Sequence, residues 1–330
     1  MKARAADHPS KVLFSGEKLL PAIAPCEHIA GNEKTIRKAM ALQAELGGAF
    51  DLTCDCEDGA TVGQEREHAA MVARLLAGNL AGRVGVRVHD LSSAHWRHDV
   101  DVVVGEAGAQ LAYVSLPKCT GASDVARMSD YVARRHAASG SAAPLPIHVL
   151  IETHGALREV DAIAGLPQVE TIDFGLLDFV SAHHGALGFD AMRSPLQFEH
   201  PLLVRAKTQI VAAALAHGVV PAHNVSLSLR DEPATFADAR RAREQFGFLR
   251  MWSIHPAQVR PIVEAMQPAH TEVAHAATIL LAARAAGWGP IDHQGDLHDR
   301  ASYRHCWTVL QRAHVARMAM PQAARHAFFD

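Results

Sequence analysis

The sequence predicts an α/β protein folded as a (β/α)8 barrel, or TIM barrel, with a C-terminal helical extension. Eight short strand-like runs alternate with helical patterns over about 265 residues, which is the alternation that this fold requires. Charged residues recur where these runs end. A doubly wound sheet is the competing arrangement, but it rarely needs eight strand–helix units. No glycine-rich dinucleotide loop follows the first strand-like run either.

The predicted strands are short apolar runs that stop at glycine, proline or a charged residue. They cover residues 18–24, 50–56, 84–88, 111–116, 147–152, 171–174, 219–227 and 249–254. Helical periodicity predicts helices over residues 32–46, 64–77, 122–137, 200–217 and 234–246, with a further helical segment from Ala156. Pro268 is the best boundary, so residues 1–267 are assigned to the barrel. In the extension, residues 268–330, helices are predicted over 271–286 and 302–318 around an irregular piece, 287–300.

Composition and charge narrow the class of protein. A formal net charge of -3 and a pI near 6.7 give no electrostatic case for a nucleic-acid or anionic-membrane partner. No apolar run reaches membrane-spanning length, and the N-terminus lacks the apolar segment of a signal peptide. The five cysteines are an odd number, and two of them alternate within one predicted strand. This cysteine usage argues against a disulfide framework. It favours packing roles for the cysteines and a reducing cytoplasm as the compartment.

The candidate site follows from the strand ends. In a parallel barrel the carboxyl ends of the strands converge on one face, where reactions occur. The charged or titratable residues at those ends are Glu57, Asp58, Arg87, Lys118, Glu152, Asp178 and His255. Because this set lacks a thiol or serine in an activated setting, it indicates metal-assisted chemistry on an anionic substrate.

Glu152 and Asp178 are the predicted metal ligands, because each follows a buried strand-like run at the same end of the barrel. A hard cation such as Mg²⁺ prefers a few carboxylates and keeps water or substrate oxygens in its remaining positions. The alternative is that each residue caps the helix that follows it.

Arg87 lies in an otherwise apolar strand, so its charge needs a partner. A guanidinium can hold a substrate carboxylate through two hydrogen bonds, or it can form an internal ion pair with Glu57 or Asp58. One member of that acidic pair is expected to hold metal-bound water or to orient Arg87, although Asp58 suits a helix-capping turn equally well. Lys118 either binds a phosphate or is solvated, and His255 either contacts a ligand or is structural.

Taken in chain order, six segments resemble the motifs of a known family. The segments CDCEDGA, VGVRV, SLPK, LIETHG, FGLLDF and SIHPAQ are similar to LEDA, RVN, LPK, IET, GxxD and IHPxQ of the HpcH/HpaI aldolase and citrate lyase β-subunit-like family. The resemblance covers essentially the whole chain. It implies a TIM barrel that cleaves or forms a carbon–carbon bond with Mg²⁺. Typical substrates are 3-hydroxyacyl-CoA thioesters such as citryl-, citramalyl- or malyl-CoA, which give acetyl-CoA and a 2-oxo acid.

The resemblance also implies roles for individual residues. By motif, Glu152 and Asp178 would bind Mg²⁺, and Arg87 would hold the carboxylate of the 2-oxo acid. Glu57 and Asp58 would support these three residues without binding the metal directly. In relatives closest to malyl-CoA lyase, a tail motif supplies an acidic residue to the site of a neighbouring subunit. The segment HQGDLHD aligns Asp299 with that residue, as the general acid or base. The resemblance therefore implies a homo-oligomer, a trimer or hexamer, with an exchanged tail.

Three departures from the family pattern concern the CoA half of the substrate. The segment EKLLPAIAPCEH stands where the family has RSxLFVPG, so the arginine and glycine that help seat CoA are expected to be missing. His89 replaces the usual asparagine after Arg87, and residues 183–185 also differ. The altered first strand keeps open a Mg²⁺-dependent aldolase that acts on a CoA-free 2-oxo-4-hydroxy acid. A non-catalytic subunit or regulatory binder is a second alternative, because some members of the family act within larger complexes.

Overall fold

A computed structural model describes residues 8–14, 19–141 and 143–330. The chain divides into two compact units. One unit is Ala24–Met266, and the other joins the described residues before Ala24 to Gln267–Asp330. None of the described helices is both long enough and apolar enough to cross a membrane.

The larger unit is a closed barrel of eight parallel strands, β1 to β8, each paired with its neighbours in chain order. The strands are β1 Cys26–Ala30, β2 Asp51–Asp55, β3 Val84–Arg87, β4 Val114–Leu116, β5 Ile147–Ile151, β6 Val169–Phe174, β7 Val220–His223 and β8 Arg250–Ser253. The predicted (β/α)8 fold is confirmed. Seven strands overlap the predicted runs, although β4 and β7 are shorter than predicted.

Helices connect the strands and cover the outside of the barrel. The α-helices are Glu33–Glu45, Glu65–Leu76, Trp96–Asp99, Gly105–Ala107, Ala122–Ala138, His154–Arg158, Val160–Ala164, Leu176–Ser181, Pro201–Ala216, Glu232–Phe246 and Pro256–Met266. A π-helical turn, Val100–Val104, and two 3₁₀ turns, Phe189–Met192 and Leu196–Phe198, complete the set. The five longest predicted helices of the barrel therefore all form, within a few residues of their predicted ends.

Local sequence explains where these elements begin and end. Asn32 accepts the backbone N–H of Thr35 at 3.0 Å and starts the helix Glu33–Glu45. Gly247, at φ 80°, ends the helix Glu232–Phe246 in the left-handed region and turns the chain toward β8. Cys54 on β2 and Cys56 just after it are fully buried in the main hydrophobic cluster. Both cysteines are free, as expected for packing residues.

The first strand was predicted in the wrong place. Leu19 to Ala24 have no regular structure, and Lys18 lies outside the described residues; the strand is instead Cys26–Ala30. The apolar run at residues 18–24 resembles a buried strand more than β1 does, because β1 contains the charged residue Glu27. That charge is tolerated because Arg250 and His148 each lie 3.2 Å from it.

The corrected position of β1 changes the register in which the family motif is compared with this chain. When the motif RSxLFVPG is laid on β1, its glycine falls at Gly31 and its arginine at Ala24. A Cβ at Gly31 would lie 2.5 Å from the Cα of Gly59, so the two loops approach too closely for a side chain. In this register Gly31 stands where the motif has its glycine and Ala24 where it has its arginine, and the expected loss of the two CoA-seating residues stays a prediction.

The second unit has its own hydrophobic cluster, which includes Tyr303, Trp307 and Leu310. Its helices are Pro9–Val12, His270–Ala285, Arg300–Val315 and Gln322–Phe328. The piece predicted as irregular contains an antiparallel hairpin of β9 Ile291–His293 and β10 Asp296–His298. The sequence grouped the N-terminal residues with the barrel, but His8 Nε2 lies 3.0 Å from the carbonyl oxygen of Phe328 in this unit. The division at residues 267 and 268 into independent domains stays a prediction.

Candidate active site at the carboxyl ends of the barrel strands

A cavity of about 570 Å³, including its open mouth, lies where the strands end. Its walls are Ile29, Asp58, Arg87, Leu150, Glu152, Phe174, Gly175, Leu176, Leu177, Asp178, Asn224, Val225, Trp252 and Ile254. Both predicted metal ligands and the predicted substrate arginine therefore face one space. Parallel strands deliver their carboxyl ends to a single face of a barrel, which is why residues distant in sequence meet there.

Glu152 follows β5 directly and is 2% exposed. Its Oε1 accepts the backbone N–H of Lys118 at 2.5 Å. Burial, and after it the nearby charge of Asp178, raise the pKa of Glu152 to about 8. Burial and Asp178 therefore disfavour the anionic form of Glu152, and an added cation would favour it.

The helix-capping alternative is not realised for Glu152. The cap of the next helix, His154–Arg158, is Thr153, whose hydroxyl accepts the N–H of Ala156 at 3.0 Å. Asp178 lies in the first turn of the helix Leu176–Ser181, which has no side-chain cap bond. Both carboxylates line the cavity, and the first-turn position of Asp178 also suits the N-terminus of its helix.

Arg87 ends β3 and is surrounded by carboxylates. Its Nε and Nη2 donate to the two oxygens of Asp55, each at 2.7 Å, and Nη1 lies 3.0 Å from Glu57 Oε2. Nη2 also reaches Asp58 at 3.3 Å. Burial opposes the charge, but these acidic groups outweigh it and raise the pKa of Arg87. The predicted internal pairing occurs with both Glu57 and Asp58, and Asp55 is a stronger partner that sequence reasoning did not assign.

Lys118 stands beside the same acidic group. Its Nζ lies 2.8 Å from Glu57 Oε1 and 3.7 Å from Asp58 Oδ1. Burial raises the pKa of Glu57, against the pull of Arg87. Around the cavity, five carboxylates therefore face two cationic side chains, namely Asp55, Glu57, Asp58, Glu152 and Asp178 against Arg87 and Lys118. This excess of negative charge favours an added cation.

Two other predicted site residues have structural partners. The Nδ1 of His255 accepts the N–H of Ala257 at 3.2 Å, and His255 is not among the residues that line the cavity. Asp299 is exposed in the second unit, where its side chain accepts the N–H of Ala301 at 2.9 Å and caps the helix Arg300–Val315. Lys118 and Glu57 are not among the residues that line the cavity. Substrate contact or catalysis by these residues stays a prediction.

A buried charge network inside the barrel was missed by sequence reasoning. Arg250 lies 3.2 Å from Glu27 and 2.7 Å from Asp51. His148 lies 3.2 Å from Glu27 and 3.0 Å from Glu170. Although burial lowers it, the pKa of His148 is raised to about 9 by these carboxylates. The sequence could have indicated this position of His148, because alternate residues of a strand face the same side and Leu150 and Glu152 face inward.

The same network contains a possible set of metal donors. Donor atoms of Glu27, His148 and Asp173 lie within 4.8 Å of one another. However, both imidazole nitrogens of His148 already have carboxylate partners, and Arg250 already balances Glu27. A cluster neutralised from within the protein gains little from a metal, so this set is a structural network. The acidic excess lies instead in the cavity.

The fold and cavity define a (β/α)8-barrel protein with an acidic, arginine-containing site at the carboxyl ends of its strands. The family model described as HpcH/HpaI aldolase/citrate lyase matches residues 34–256, and the chain belongs to that family. The resemblance inferred from the motifs is therefore confirmed.

Several relatives align along most of the chain. The L-malyl-CoA/beta-methylmalyl-CoA lyase of Cereibacter sphaeroides is 27% identical over 293 residues, which cover 84% of this chain and 92% of the relative. A crystal structure of a citrate lyase from Burkholderia xenovorans is 49% identical with a TM-score of 0.83, covering 97% of this chain and 99% of the other. CitE of Mycobacterium tuberculosis, in complex with magnesium, acetoacetate and coenzyme A, is 24% identical with a TM-score of 0.67 and covers 89% and 99%. The last likeness supports the fold alone.

Proposed function

We propose that this protein is a Mg²⁺-dependent carbon–carbon lyase that cleaves or forms a 3-hydroxyacyl-CoA, with acetyl-CoA and a 2-oxo acid as the other partners. One observation carries the proposal: Glu152 and Asp178 line the same cavity as Arg87, with carboxylates in excess. Membership of the HpcH/HpaI aldolase/citrate lyase family supports the class of reaction.

Glu152 and Asp178 would hold the metal ion. Their oxygens are the hard ligands that Mg²⁺ prefers, and few protein ligands leave room for water and substrate. The raised pKa of Glu152 supports this assignment, because a divalent cation would restore the charged form that burial and Asp178 disfavour. When bound, Mg²⁺ supplies Lewis-acid stabilisation of negative charge on a substrate oxygen.

Arg87 would bind the carboxylate of the 2-oxo acid. Its guanidinium is held by Asp55 through two bonds of 2.7 Å, so its orientation is set before the substrate arrives. Such orientation lowers the entropy lost on the way to the transition state. In this proposal Asp58 lies between Arg87 and the solvent, and Glu57 keeps Arg87 and Lys118 together. Lys118 and His255, which do not line the cavity, would contact the part of the substrate that extends beyond it.

Asp299 is the proposed general acid or base, supplied by the tail of a neighbouring subunit in a homo-oligomer. Its exposure and its place beside the hairpin of β9 and β10 support a residue that can be presented to another chain. Its task would be to exchange a proton with the carbon that carries the developing enolate.

The CoA-free aldolase is the second candidate, and Ala24 favours it, since the family pattern has arginine there. Gly31 weakens the same argument, because in this register it stands where the family motif has its glycine. Calorimetric titration with acetyl-CoA separates the two: micromolar binding supports the thioester lyase, and no binding supports the aldolase. A reducing cytoplasm is the proposed compartment, consistent with the five free cysteines among the described residues.

The proposal is tested with Glu152→Gln and Asp178→Asn, with Asp190→Asn at an exposed position of the following loop as the matched control. Malyl-, citramalyl- and citryl-CoA are each incubated with the protein in Mg²⁺, and release of acetyl-CoA is followed. Both site variants should lose calorimetric Mg²⁺ binding and about a thousandfold in activity, while the control keeps both. Activity that persists in EDTA would overturn the proposal.

A further inference from the structure

We infer that the cavity selects a 2-oxo acid that has one carboxylate and a short alkyl substituent, and that it rejects a dicarboxylic 2-oxo acid. The inference rests on the proposed function and names the class of its oxo-acid substrate. It follows from the division of the cavity into a charged side and an apolar side.

The apolar side is built by the inner faces of four strands. Leu150, Val225 and Trp252 form a hydrophobic cluster of their own with Ala222, and Ile29 packs against it. Leu150 is 2% exposed and Trp252 is 7% exposed. This cluster lies above the charge network of the barrel interior, since Leu150 is two residues beyond His148 on β5. A substrate group directed to this side is therefore removed from water and meets hydrocarbon.

The charged side can accept one carboxylate. Of the described residues that line the cavity, Arg87 alone is cationic. Lys118 does not line it, and its ammonium lies 2.8 Å from Glu57. A second substrate carboxylate directed to the apolar side would have to lose its hydration without a counter-charge from the protein, which is strongly unfavourable.

The polar atoms on the apolar side also disfavour a second carboxylate. Both donors of the Asn224 amide are used, by Gln197 Oε1 and by the carbonyl oxygen of Val225, each at 2.9 Å. This leaves Asn224 Oδ1 as a buried acceptor without a partner among the described residues, and an acceptor repels a carboxylate. Trp252 Nε1 is a buried donor that also lacks a partner there. A single neutral N–H suits a carbonyl or hydroxyl oxygen better than it compensates a desolvated anion.

The test compares pyruvate and 2-oxobutyrate with oxaloacetate. Each acid is titrated calorimetrically into the full-length protein at one fixed concentration of free Mg²⁺, and each is assayed in condensation with acetyl-CoA. The two monocarboxylates should bind at least about tenfold more tightly than oxaloacetate and show a matching preference in kcat/KM.

A variant makes the comparison sharper. Ile254 is 37% exposed at the cavity wall, so Ile254→Lys places a cation there without filling the core, and Ile254→Met is the matched apolar control. Ile254→Lys should narrow the preference for the monocarboxylates over oxaloacetate by about tenfold or reverse it, while Ile254→Met should keep that preference. An unchanged preference in a folded Ile254→Lys protein would contradict the argument from charge.

The outcomes also separate this inference from the proposed lyase activity. If oxaloacetate binds as well as pyruvate or better, and both react in a Mg²⁺-dependent manner, the selectivity is wrong and the lyase stands. If no oxo acid binds or reacts in the presence of Mg²⁺, both ideas fail together.

Discussion

Gly175 lies so close to Glu152 that a Cβ at position 175 would be 2.3 Å from Glu152 Oε2 and 2.5 Å from its Cβ. Glu152 follows β5 and Gly175 follows β6, and these strands are neighbours in the barrel. The glycine therefore sets the space in which the carboxylate stands, while the N–H of Lys118 holds the other oxygen. No side chain fits at position 175 unless Glu152 moves.

The first prediction is that Gly175→Ala weakens Mg²⁺ binding by about 10- to 100-fold. The added methyl group would displace Glu152, and loss of a group that orients a metal ligand lowers metal affinity by about this factor. Calorimetric titration with Mg²⁺ measures the effect. Gly188→Ala is the matched control, since nothing lies within 4 Å of a Cβ at that position. Equal affinities for the two variants would refute the role assigned to this close approach.

The second prediction concerns the pair of Arg87 and Asp55. Asp55→Asn removes a buried bidentate partner and should lower the free energy of unfolding by about 3 kcal/mol, because part of the Arg87 charge is left uncompensated. Denaturant unfolding measures the change. Glu33→Gln breaks an exposed pair with Arg37 and should change the same quantity by less than about 0.5 kcal/mol. A small effect at Asp55 would mean that Glu57 and Asp58 suffice to hold the arginine.

The third prediction is a dependence of stability on pH through His148. Its pKa in the folded protein is raised from 6.5 to about 9, so the folded state binds the proton more tightly than the unfolded chain. The resulting stabilisation is fully present below about pH 6.5 and is lost as the pH rises through about 9. It amounts to on the order of 3 kcal/mol.

Unfolding free energies measured between pH 6 and pH 9.5, roughly the window set by this shift, test that dependence. The wild-type protein should lose stability across this window, and His148→Gln should lose much less. His326→Gln, at an exposed position in the second unit, should keep the wild-type slope. A His148→Gln profile parallel to the wild type would show that the charge of His148 does not change there.

The fourth prediction addresses Asp299. Asp299→Asn should preserve the helix cap, because asparagine is an equally good capping residue, but should lower kcat by about 10²- to 10⁴-fold. Asp296→Asn, on the hairpin strand just before Asp299, is the control and should remain active.

If the tail acts on a neighbouring subunit, co-expression of Asp299→Asn with Glu152→Gln should restore activity, because a mixed oligomer contains sites with both residues intact. Activity is compared with that of each variant alone, in oligomers shown by mass to be mixed. No recovery in mixed oligomers would place Asp299 in its own subunit or outside the reaction.

Several parts of the fold and the site were accessible from local sequence. Strand-like runs and helical periods were enough for a barrel of eight units, because each element carries its own pattern. Glu152, Asp178 and Arg87 could be assigned to one cavity without knowledge of any contact, because the carboxyl ends of parallel strands always share a face. The order of the motifs then identified the family.

The errors have a common cause. The first strand was misplaced because Glu27 looks unlike a buried residue, and its stability depends on Arg250, which is distant in sequence. Asp55 was not recognised as the main partner of Arg87 for the same reason, since only the pairing of β2 with β3 brings them into register.

The sequence by itself therefore determined the succession of strands and helices, the acidic strand ends and the family, since these depend on residues close together in the chain. Tertiary structure alone decided which charges are paired and which remain in excess. It placed His148, Glu27 and Arg250 in a balanced interior network and left the imbalance at Glu152 and Asp178. The physical reason is that the energy of a buried charge depends on its neighbours in space, and closing the barrel is what makes those neighbours adjacent.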